Sequence, residues 1–461
     1  MAETLYDCII IGAGYAGLSA AKHLKDAGKN ILLLEARDRV GGRVLTQTYD
    51  DGTYLDMGGS CLGRDQPRMF KLAEEFGVET FNLNTTGQVV QLYRGRRKLY
   101  QGLIPPLAIW ELLDLHFLIQ RLETLAATVN LEEPWNTTNA AKFDNMTFGE
   151  WLNRNCWTKA SREYITLAAE IIWGAGTSEF SALHAFFRAK SGVSFTTLCT
   201  NESGAQSHLI RGGAQTIANK IRVHLGDIVH LGEPVEKVDQ SSPTGGILSV
   251  VTTKTTYKSR HVIVAIPPLQ VLRVSFNPPL PHQRRILLEH SPVGSTWKYL
   301  VCYKKPFWRD QGLSGEAASP DELIRATFDI SPKASGYGVL MVFVVSHNAR
   351  TLSLRSEEER KNAILKTLTT LFGKEAAKPF RFVEHTMADE SYIGGCPVSN
   401  PAPGMLSTLG PWLRKPFGRI HWAGTETSSV WNGYMEGAVN SGQCAAREVL
   451  ELIKTDSALP A

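Results

Sequence analysis

The chain has 461 residues, of which 43% are hydrophobic and 20% are charged, so it is long enough for two domains and has the composition of an ordinary globular protein. Its formal net charge of +4 is small for this length and gives no argument for a nucleic-acid partner. The seven cysteines are scattered and lack metal-ligand spacing, which predicts a reducing compartment, no disulfide framework and no metal site.

The first predicted unit covers residues 5–34 and consists of a strand, a glycine-rich turn, a helix and a second strand. The turn has the sequence Gly12-Ala13-Gly14-Tyr15-Ala16-Gly17. Gly12 permits a tight turn, Gly14 lets the backbone approach a pyrophosphate, and Gly17 lets the helix pack closely on the strand. The helix begins near Ala16, so its N–H groups and its positive dipole end are available to phosphates.

An acidic residue, Glu35, follows the second strand, eighteen residues after Gly17. Its carboxylate is placed to accept hydrogen bonds from ribose hydroxyls, which argues against a 2′-phosphate on the ligand. A strand before the turn, a helix after it and an acid at this spacing together predict a Rossmann-type dinucleotide-binding unit. The alternative is a glycine-rich turn in an ordinary α/β unit.

A loop of glycines and arginines comes directly after Glu35. Its sequence is Ala36-Arg37-Asp38-Arg39-Val40-Gly41-Gly42-Arg43. We expect the backbone and the guanidinium groups of this loop to meet a second face of the pyrophosphate, because the planar fork of arginine pairs bidentately with phosphate oxygens.

The middle of the chain contains both helical and strand patterns. Residues 86–204 are expected to be mainly helical, and the most apolar stretch, Leu103–Val129, predicts a buried or dimer-facing helix, which leaves a homodimer open. An amphipathic helix is predicted near Thr216–Leu225. Strands are predicted over Val229–Asp239, Leu248–Thr253, His261–Pro268, Trp297–Tyr303 and Tyr337–Ser346.

No stretch of the sequence approaches the roughly 18 uncharged apolar residues of a membrane-spanning helix. The N-terminus runs directly into the first strand without the features of a signal peptide. We therefore expect a cytoplasmic protein with no integral membrane segment.

Three C-terminal segments complete the pattern. They are Gly394-Gly395-Cys396, Ile420-His421-Trp422-Ala423-Gly424-Thr425-Glu426-Thr427 and Trp431-Asn432-Gly433-Tyr434-Met435-Glu436-Gly437-Ala438. Together with Gly41-Gly42-Arg43, they resemble motifs of the flavin-containing amine oxidase family. The resemblance covers residues 5 to 453 and implies FAD as the cofactor, held by both ends of the chain.

The resemblance also implies the architecture. We expect an α/β fold with a discontinuous, glutathione-reductase-like FAD-binding domain of residues 1–85, 205–289 and 386–461. An inserted α+β substrate domain would comprise residues 86–204 and 290–385. The substrate would lie between the two domains, against the flavin.

Individual roles follow from the family motifs. Val235 corresponds to a backbone contact on the adenine side of FAD, and Cys396 corresponds to the cysteine that bonds covalently to the flavin 8α-methyl group. Lys298 corresponds to the lysine that reaches flavin N5 through a water, where its charge would help electron transfer to O₂. Further cofactor contacts are expected at Gly58, Gly59, Ser60, Gly424, Glu426, Tyr434 and Met435.

The substrate pocket departs from the family pattern. Tyr434 matches one of two tyrosines that flank the flavin, but Pro397 and Cys61 stand where the family has further tyrosines, and Met387 replaces a tryptophan. Gln206 matches a pocket glutamine. His208 and Phe343 are further pocket candidates. With aromatic walls removed, the pocket is expected to be wide.

The sequence leaves three functional hypotheses open, and the departures in the pocket favour the first. The first is oxidation of a bulky indole-alkaloid amine with ring closure, as in conversion of β-cyclopiazonate to α-cyclopiazonate, with O₂ reduced to H₂O₂. The second is a plain monoamine oxidase that converts primary amines to aldehydes. The third is a redox-silent flavoprotein that acts as a binding module, against which Lys298, Cys396 and Tyr434 argue. An NADPH-driven reductase is disfavoured because the sequence has no second Gly-x-Gly-x-x-Gly unit.

Overall fold

The computed structural model describes residues 4–241, 246–332 and 336–458. Its strands are β1 (Leu5–Ile11), β2 (Ile31–Leu34), β3 (Thr46–Thr48), β4 (Tyr54–Asp56), β5 (Cys61–Leu62), β6 (Thr80–Asn82), β7 (Gln88–Tyr93), β8 (Arg96–Tyr100), β9 (His208–Ile210), β10 (Val229–His230), β11 (Val235–Asp239), β12 (Leu248–Thr252), β13 (Thr256–Val264), β14 (Ser275–Asn277), β15 (Thr296–Tyr303), β16 (Leu313–Ala318), β17 (Ala326–Asp329), β18 (Gly338–Val345), β19 (Arg381–His385) and β20 (Ile420–Trp422).

The helices are α1 (Tyr15–Asp26), α2 (Pro67–Glu75), α3 (Ile109–Thr128), α4 (Ala140–Asp144), α5 (Phe148–Asn155), α6 (Lys159–Trp173), α7 (Ala182–Ser191), α8 (Phe195–Cys199), α9 (Gln215–Leu225), α10 (Pro268–Val271), α11 (His282–Glu289), α12 (Phe307–Asp310), α13 (Ser346–Leu352), α14 (Glu357–Phe372), α15 (Met405–Leu409) and α16 (Met435–Ala458).

The first sheet is built around β1 and has the strand order β10-β2-β1-β13-β12-β11-β14, with β20 paired to β13. The strands β10, β2, β1 and β13 are parallel in that order, and β20 is parallel to β13, whereas β12 is antiparallel to β13. The last four residues of β1 and all four residues of β2 are buried apolar residues, and their side chains contribute to two separate hydrophobic clusters. The carboxyl ends of β1 and β2 carry the glycine turn and Glu35, which is where ligands bind in such sheets.

The second sheet has the order β19-β15-β18-β17-β16-β7-β8. Strands β15, β18, β17 and β16 are antiparallel neighbours, and the eight residues of β15 are all buried. This sheet, rather than a helix, carries Lys298. The helices α3 and α5–α8 pack around an aromatic core that includes Phe148, Trp173 and Phe180.

The C-terminal helix α16 packs directly on α1. At their crossing, a Cβ on Gly442 would lie 2.1 Å from the carbonyl oxygen of Ala16, so only glycine allows this approach. The hydroxyl of Ser19 donates a hydrogen bond to the carbonyl of Val439 at 3.1 Å. The two ends of the chain therefore form one unit beside the first glycine turn.

These observations confirm the predicted mixed α/β fold with a Rossmann-type unit and a discontinuous first sheet. The helix predicted within Leu103–Val129 begins only at Ile109, after two prolines at positions 105 and 106, and its first turns expose Ile109, Trp110, Leu113 and Phe117. Among the described helices, none has the length and apolar content needed to cross a bilayer. The residue bounds of the two domains stay a prediction.

Candidate active site

A cavity of about 840 Å³ connects the first glycine turn with the second sheet. The predicted residues that line it are Gly12, Gly14, Tyr15, Ala16, Glu35, Ala36, Arg37, Gly42, Arg43, Gly58, Gly59, Ser60, Cys61, Gln206, Val235, Lys298, Phe343, Cys396, Pro397, Gly424, Tyr434 and Met435. Residues that lie hundreds of positions apart in the sequence thus share one surface.

In the glycine turn, one of the three glycines leaves space for a ligand, and the other two are required by contacts within the protein. A Cβ on Gly12 would lie 2.7 Å from Ile266, and a Cβ on Gly17 would lie 1.8 Å from the carbonyl oxygen of Gly12. Protein packing therefore requires glycine at these two positions, and Gly17 is not on the cavity surface. A Cβ on Gly14 would meet only Gly42, at an ordinary 3.7 Å, so the space before Gly14 is left open toward the cavity. This arrangement fits the approach of a pyrophosphate.

Glu35 closes one end of the cavity. One carboxylate oxygen accepts a hydrogen bond from the backbone N–H of Ala13 at 2.7 Å, and the other accepts one from the N–H of Arg37 at 3.0 Å. The carboxylate thus fixes the glycine turn and still lines the cavity, where lone pairs remain for ribose hydroxyls. Val235, the first residue of β11, lies on the same cavity surface.

The arginines of the second loop are held by carboxylates. Arg37 and Arg39 both donate to Glu390, at 2.9 and 3.0 Å. Arg43 forms a two-pronged ion pair with Glu426 at 2.6 and 3.0 Å, and this pair excludes Glu426 from the cavity surface. Arg37 and Arg43 still line the cavity, so the expectation that their guanidinium groups meet a pyrophosphate stays a prediction, whereas Glu426, expected as a cofactor contact, is not among the residues that line it.

Lys298 lies on β15, lines the cavity and is only 4% exposed. Its ammonium donates to the carbonyl oxygen of Gly58 at 2.8 Å and to the hydroxyl of Ser60 at 2.5 Å. Burial lowers the pKa of Lys298, although Asp56 and Cys61 act in the opposite direction. An ammonium has three donors, so one remains for a water or a bound group.

The cysteine predicted to carry the cofactor, Cys396, also lines the cavity. Its backbone N–H donates to the carbonyl of Gly294 at 3.0 Å. Gly395 has φ +147°, and a Cβ there would lie 2.8 Å from the same carbonyl. This glycine is thus required by the contact with residue 294.

The substrate side of the cavity has one aromatic wall at Tyr434. The tyrosine ring packs edge-on against Trp431, with ring centroids 5.2 Å apart, and its hydroxyl hydrogen-bonds Gln206. Burial raises the pKa of Tyr434 to about 12, so the phenol stays neutral. Cys61 and Pro397 line the cavity where aromatic walls were missing from the sequence pattern.

His208 does not line the cavity, contrary to its prediction as a pocket residue. Its Nδ1 lies 2.8 Å from the hydroxyl of Ser207, and its ring packs edge-on against Phe70 at 5.1 Å between centroids. These two contacts hold the imidazole away from the substrate side. Arg211 nearby forms an ion pair with Glu79 at 2.6 Å.

Two charged residues on the substrate side were missed from the sequence. Arg188 on α7 and Glu316 on β16 both line the cavity. Neither lies in a recognisable motif. Arg188 is one of the basic residues of its helix, and Glu316 belongs to a strand of mostly small residues. No sequence signal distinguishes either from an ordinary surface charge.

Comparison with known proteins supports these observations. The family model described as flavin containing amine oxidoreductase matches residues 15–450. The AofH protein of Mycobacterium tuberculosis, named for a flavin-containing monoamine oxidase activity, is 37% identical over 447 residues, which cover 97% of each chain. Amine oxidase [flavin-containing] B of Homo sapiens is 35% identical over 450 residues, covering 96% of this chain and 86% of the human one.

Two solved structures are closely similar in fold. Putrescine oxidase bound to putrescine superposes with a TM-score of 0.94 at 31% identity, covering 97% of this chain and 100% of that one. Cyclohexylamine oxidase from Brevibacterium oxydans superposes with a TM-score of 0.93 at 30% identity, covering 98% of this chain and 100% of that one.

We expect Gly14→Val to reduce the FAD content of purified protein by about tenfold or more, because a branched side chain would occupy the approach of the pyrophosphate. Within the protein, a Cβ at this position would make only an ordinary van der Waals contact with Gly42. The variant should therefore fold, as judged by circular dichroism. Gly336→Val is the control, since a Cβ on Gly336 meets nothing within 4 Å. A normal flavin content in Gly14→Val would contradict the assignment of the turn.

Proposed function

Since the chain belongs to the flavin-containing amine oxidoreductase family, we propose that this enzyme oxidises a primary amine with O₂ to an imine, which water hydrolyses to an aldehyde and ammonia, and that O₂ is reduced to H₂O₂. The observation that carries the proposal is the convergence of Lys298, Tyr434 and Cys396 on one cavity with the glycine turn. The identified relatives are monoamine, putrescine and cyclohexylamine oxidases. None of them supports ring closure on an indole alkaloid, so that hypothesis is not part of the proposal.

The family implies FAD, and the cavity residues fit it. Gly14 and Gly42 leave the room for a pyrophosphate, Glu35 offers ribose acceptors, and Val235 and Met435 lie on the same surface. When bound, FAD supplies the two-electron acceptor for the amine and passes the electrons on to O₂. The protein supplies orientation, desolvation and charge.

Tyr434 orients the amine. Its ring is held by Trp431 and its hydroxyl by Gln206, so it presents a fixed wall and a neutral phenol. The nearby Arg188 guanidinium is 2% exposed and disfavours an ammonium at this end of the cavity. The amine is therefore held there as the neutral base, which is the form that gives up a hydride equivalent.

Lys298 supplies a positive charge where electrons leave for O₂. Its two hydrogen bonds to Gly58 and Ser60 fix the ammonium within the buried β15 strand. A preorganised cation in a site that excludes water stabilises developing negative charge more strongly than one in solvent. The remaining donor can hold a water between the ammonium and the reacting atoms.

Cys396 is proposed to hold the flavin through a thioether. Bond formation removes one hydrogen from the thiol and one from the flavin methyl group, and O₂ accepts the two electrons released. The support is the position of Cys396 on the cavity surface and the family motif that it completes. Burial raises the pKa of this thiol, while Arg43 and Lys298 act against that rise.

The amine oxidase activity is tested by anaerobic mixing of the flavin-loaded enzyme with benzylamine, phenethylamine, alkylamines, an indole tetramic acid and NADPH. We expect primary amines to bleach the flavin, and admission of air to restore its colour with release of H₂O₂. Bleaching by NADPH alone, or by the tetramic acid alone, would overturn the proposal.

We expect flavin to remain bound to the wild-type polypeptide after acid precipitation and to be released from Cys396→Ala. The measurement is the flavin absorbance of pellet and supernatant, with mass spectrometry of the peptide containing Cys396. Cys61→Ala and Cys199→Ala are matched controls, because these thiols line the same cavity, and both should retain the flavin in the pellet. A colourless wild-type pellet after full loading would show that there is no tether.

Lys298→Met is expected to slow flavin reoxidation by O₂ by about tenfold or more, and to slow anaerobic reduction much less, because the missing charge acts when electrons leave for oxygen. Stopped-flow absorbance measures both half-reactions. The exposed Lys305, paired with Asp310 at 2.6 Å, provides the control variant Lys305→Met. Equal losses in the two half-reactions would count against this role.

A further inference from the structure

The substrate side of the cavity carries opposite charges at two places. Several charged side chains line the cofactor end of the cavity. On the substrate side, past Lys298 and His385, Arg188 and Glu316 are the only arginine, lysine, aspartate or glutamate side chains among the described residues that line the cavity. Neither forms an ion pair with another described residue. The amine oxidase activity proposed above uses Arg188 only as a background charge and leaves Glu316 without a role.

The second sheet fixes how far Glu316 lies from the reacting end. Strand pairing places Lys298 opposite Phe343, Phe343 opposite Ala326, and Ala326 opposite Ala318. Strands are about 4.8 Å apart, so Ala318 lies three strands, or about 14 Å, from Lys298. Glu316 precedes Ala318 by two residues on β16, within the stretch where the pairing of β16 with β7 is irregular, and its place on the cavity surface is given directly by the structure.

The cavity surface between these two ends is apolar. Phe343, Ala326 and Ala318 all line the cavity and form its floor from Lys298 toward Glu316. A flexible hydrocarbon chain laid on this floor would bury apolar surface along its whole length. Its two ends would then reach chemically different surroundings.

Glu316 lies in a polar group at the far end. Its carboxylate accepts a hydrogen bond from Asn201, and the hydroxyl of Tyr100 is close enough to interact with it electrostatically. Tyr164 lies beside Tyr100, and all of these residues line the cavity. Burial raises the pKa of Glu316, as expected for a carboxylate that lacks a cation partner.

Arg188 has the opposite character at the near end. Its guanidinium lies 4.9 Å from the ring of Trp173 and donates to the carbonyls of Asn432 and Ile172, at 3.2 and 3.4 Å. A Cβ on Gly433 would come within 2.3 Å of it, so the cation is fixed directly beside the turn that carries Tyr434. A positive group would be repelled here and attracted at Glu316.

We infer that the enzyme selects amines that carry a second, cationic group at the end of a flexible apolar chain. The neutral amine would be oxidised beside Tyr434, and the distal cation would pair with Glu316. This inference rests on the amine oxidase activity proposed above and adds the substrate class: diamines and related polycationic amines rather than arylalkylamines.

The experiment uses two isosteric probes on the flavin-loaded enzyme. One is hexylamine with a terminal trimethylammonium group, and the other is hexylamine with a terminal tert-butyl group, which has the same shape without the charge. Shorter and longer spacers complete the series. We expect the cationic probe to be preferred at the best spacer by about tenfold or more in kcat/KM, mainly through KM, because a desolvated charge pair is gained only there.

Glu316→Gln should abolish this preference, since it keeps the shape and removes the charge. Glu316→Asp should retain the preference but move the best spacer to a longer chain, which a merely structural role would not do. Glu202→Gln is the matched control: it makes the same change at an exposed position next to Asn201, outside the cavity surface. It should leave the preference intact.

A binding measurement separates the two proposals. The corresponding alcohols, with hydroxyl in place of the amine, cannot be oxidised as amines, and their binding is followed by thermal shift and by perturbation of the flavin spectrum. If no primary amine reduces the flavin but the cationic alcohol binds in a Glu316-dependent manner, the proposed function fails and the cation site stands. If both amine probes reduce the flavin equally well, or if aminohexanoate is preferred, the inference fails and the oxidase activity stands.

Discussion

The ion pair between Arg43 and Glu426 connects the parts of the chain on which the site depends. Arg43 ends the loop after Glu35, and Glu426 follows β20 near the C-terminus. The same guanidinium donates to the carbonyl of Pro397 at 2.8 Å, and the N–H of Ser399 donates to Glu426 at 3.3 Å. Glu426 is 6% exposed, and removal of one partner of a buried pair costs about 3–5 kcal/mol. The pair therefore fixes the segment that carries Cys396 relative to the dinucleotide-binding turn.

The charged side chains at the cavity differ in whether they are paired with an oppositely charged protein group. Arg37 and Arg39 are paired with Glu390, and Arg43 with Glu426. Lys298 is held only by uncharged oxygens, and burial raises the pKa of the neighbouring Asp56 to about 6. In a desolvated cavity the unpaired groups exert the strongest fields. Electron transfer and substrate selection would thus depend on the residues without ion-pair partners.

The sequence predicted those features that short, local patterns encode. Gly12, Gly14 and Gly17 are set by turn geometry and close packing within a few residues, and the structure confirms their arrangement. It did not predict that Arg37 pairs with Glu390, because that contact spans 353 positions. His208 was wrongly assigned to the pocket, since a strand residue faces one side or the other according to pairing that the sequence does not show.

The cofactor side and the substrate side of the cavity therefore differ in how the chain specifies them. Gly14, Glu35 and Cys396 lie in short contiguous motifs, and we propose that all three serve one common ligand. The position of Glu316 depends instead on the register of β15, β18, β17 and β16, and one step of slippage would turn its side chain to the opposite face. Single substitutions on these strands can change the charge at the far end of the cavity without disturbing the ion pair that holds Cys396. Substrate class can thus diverge while the cofactor motifs stay recognisable.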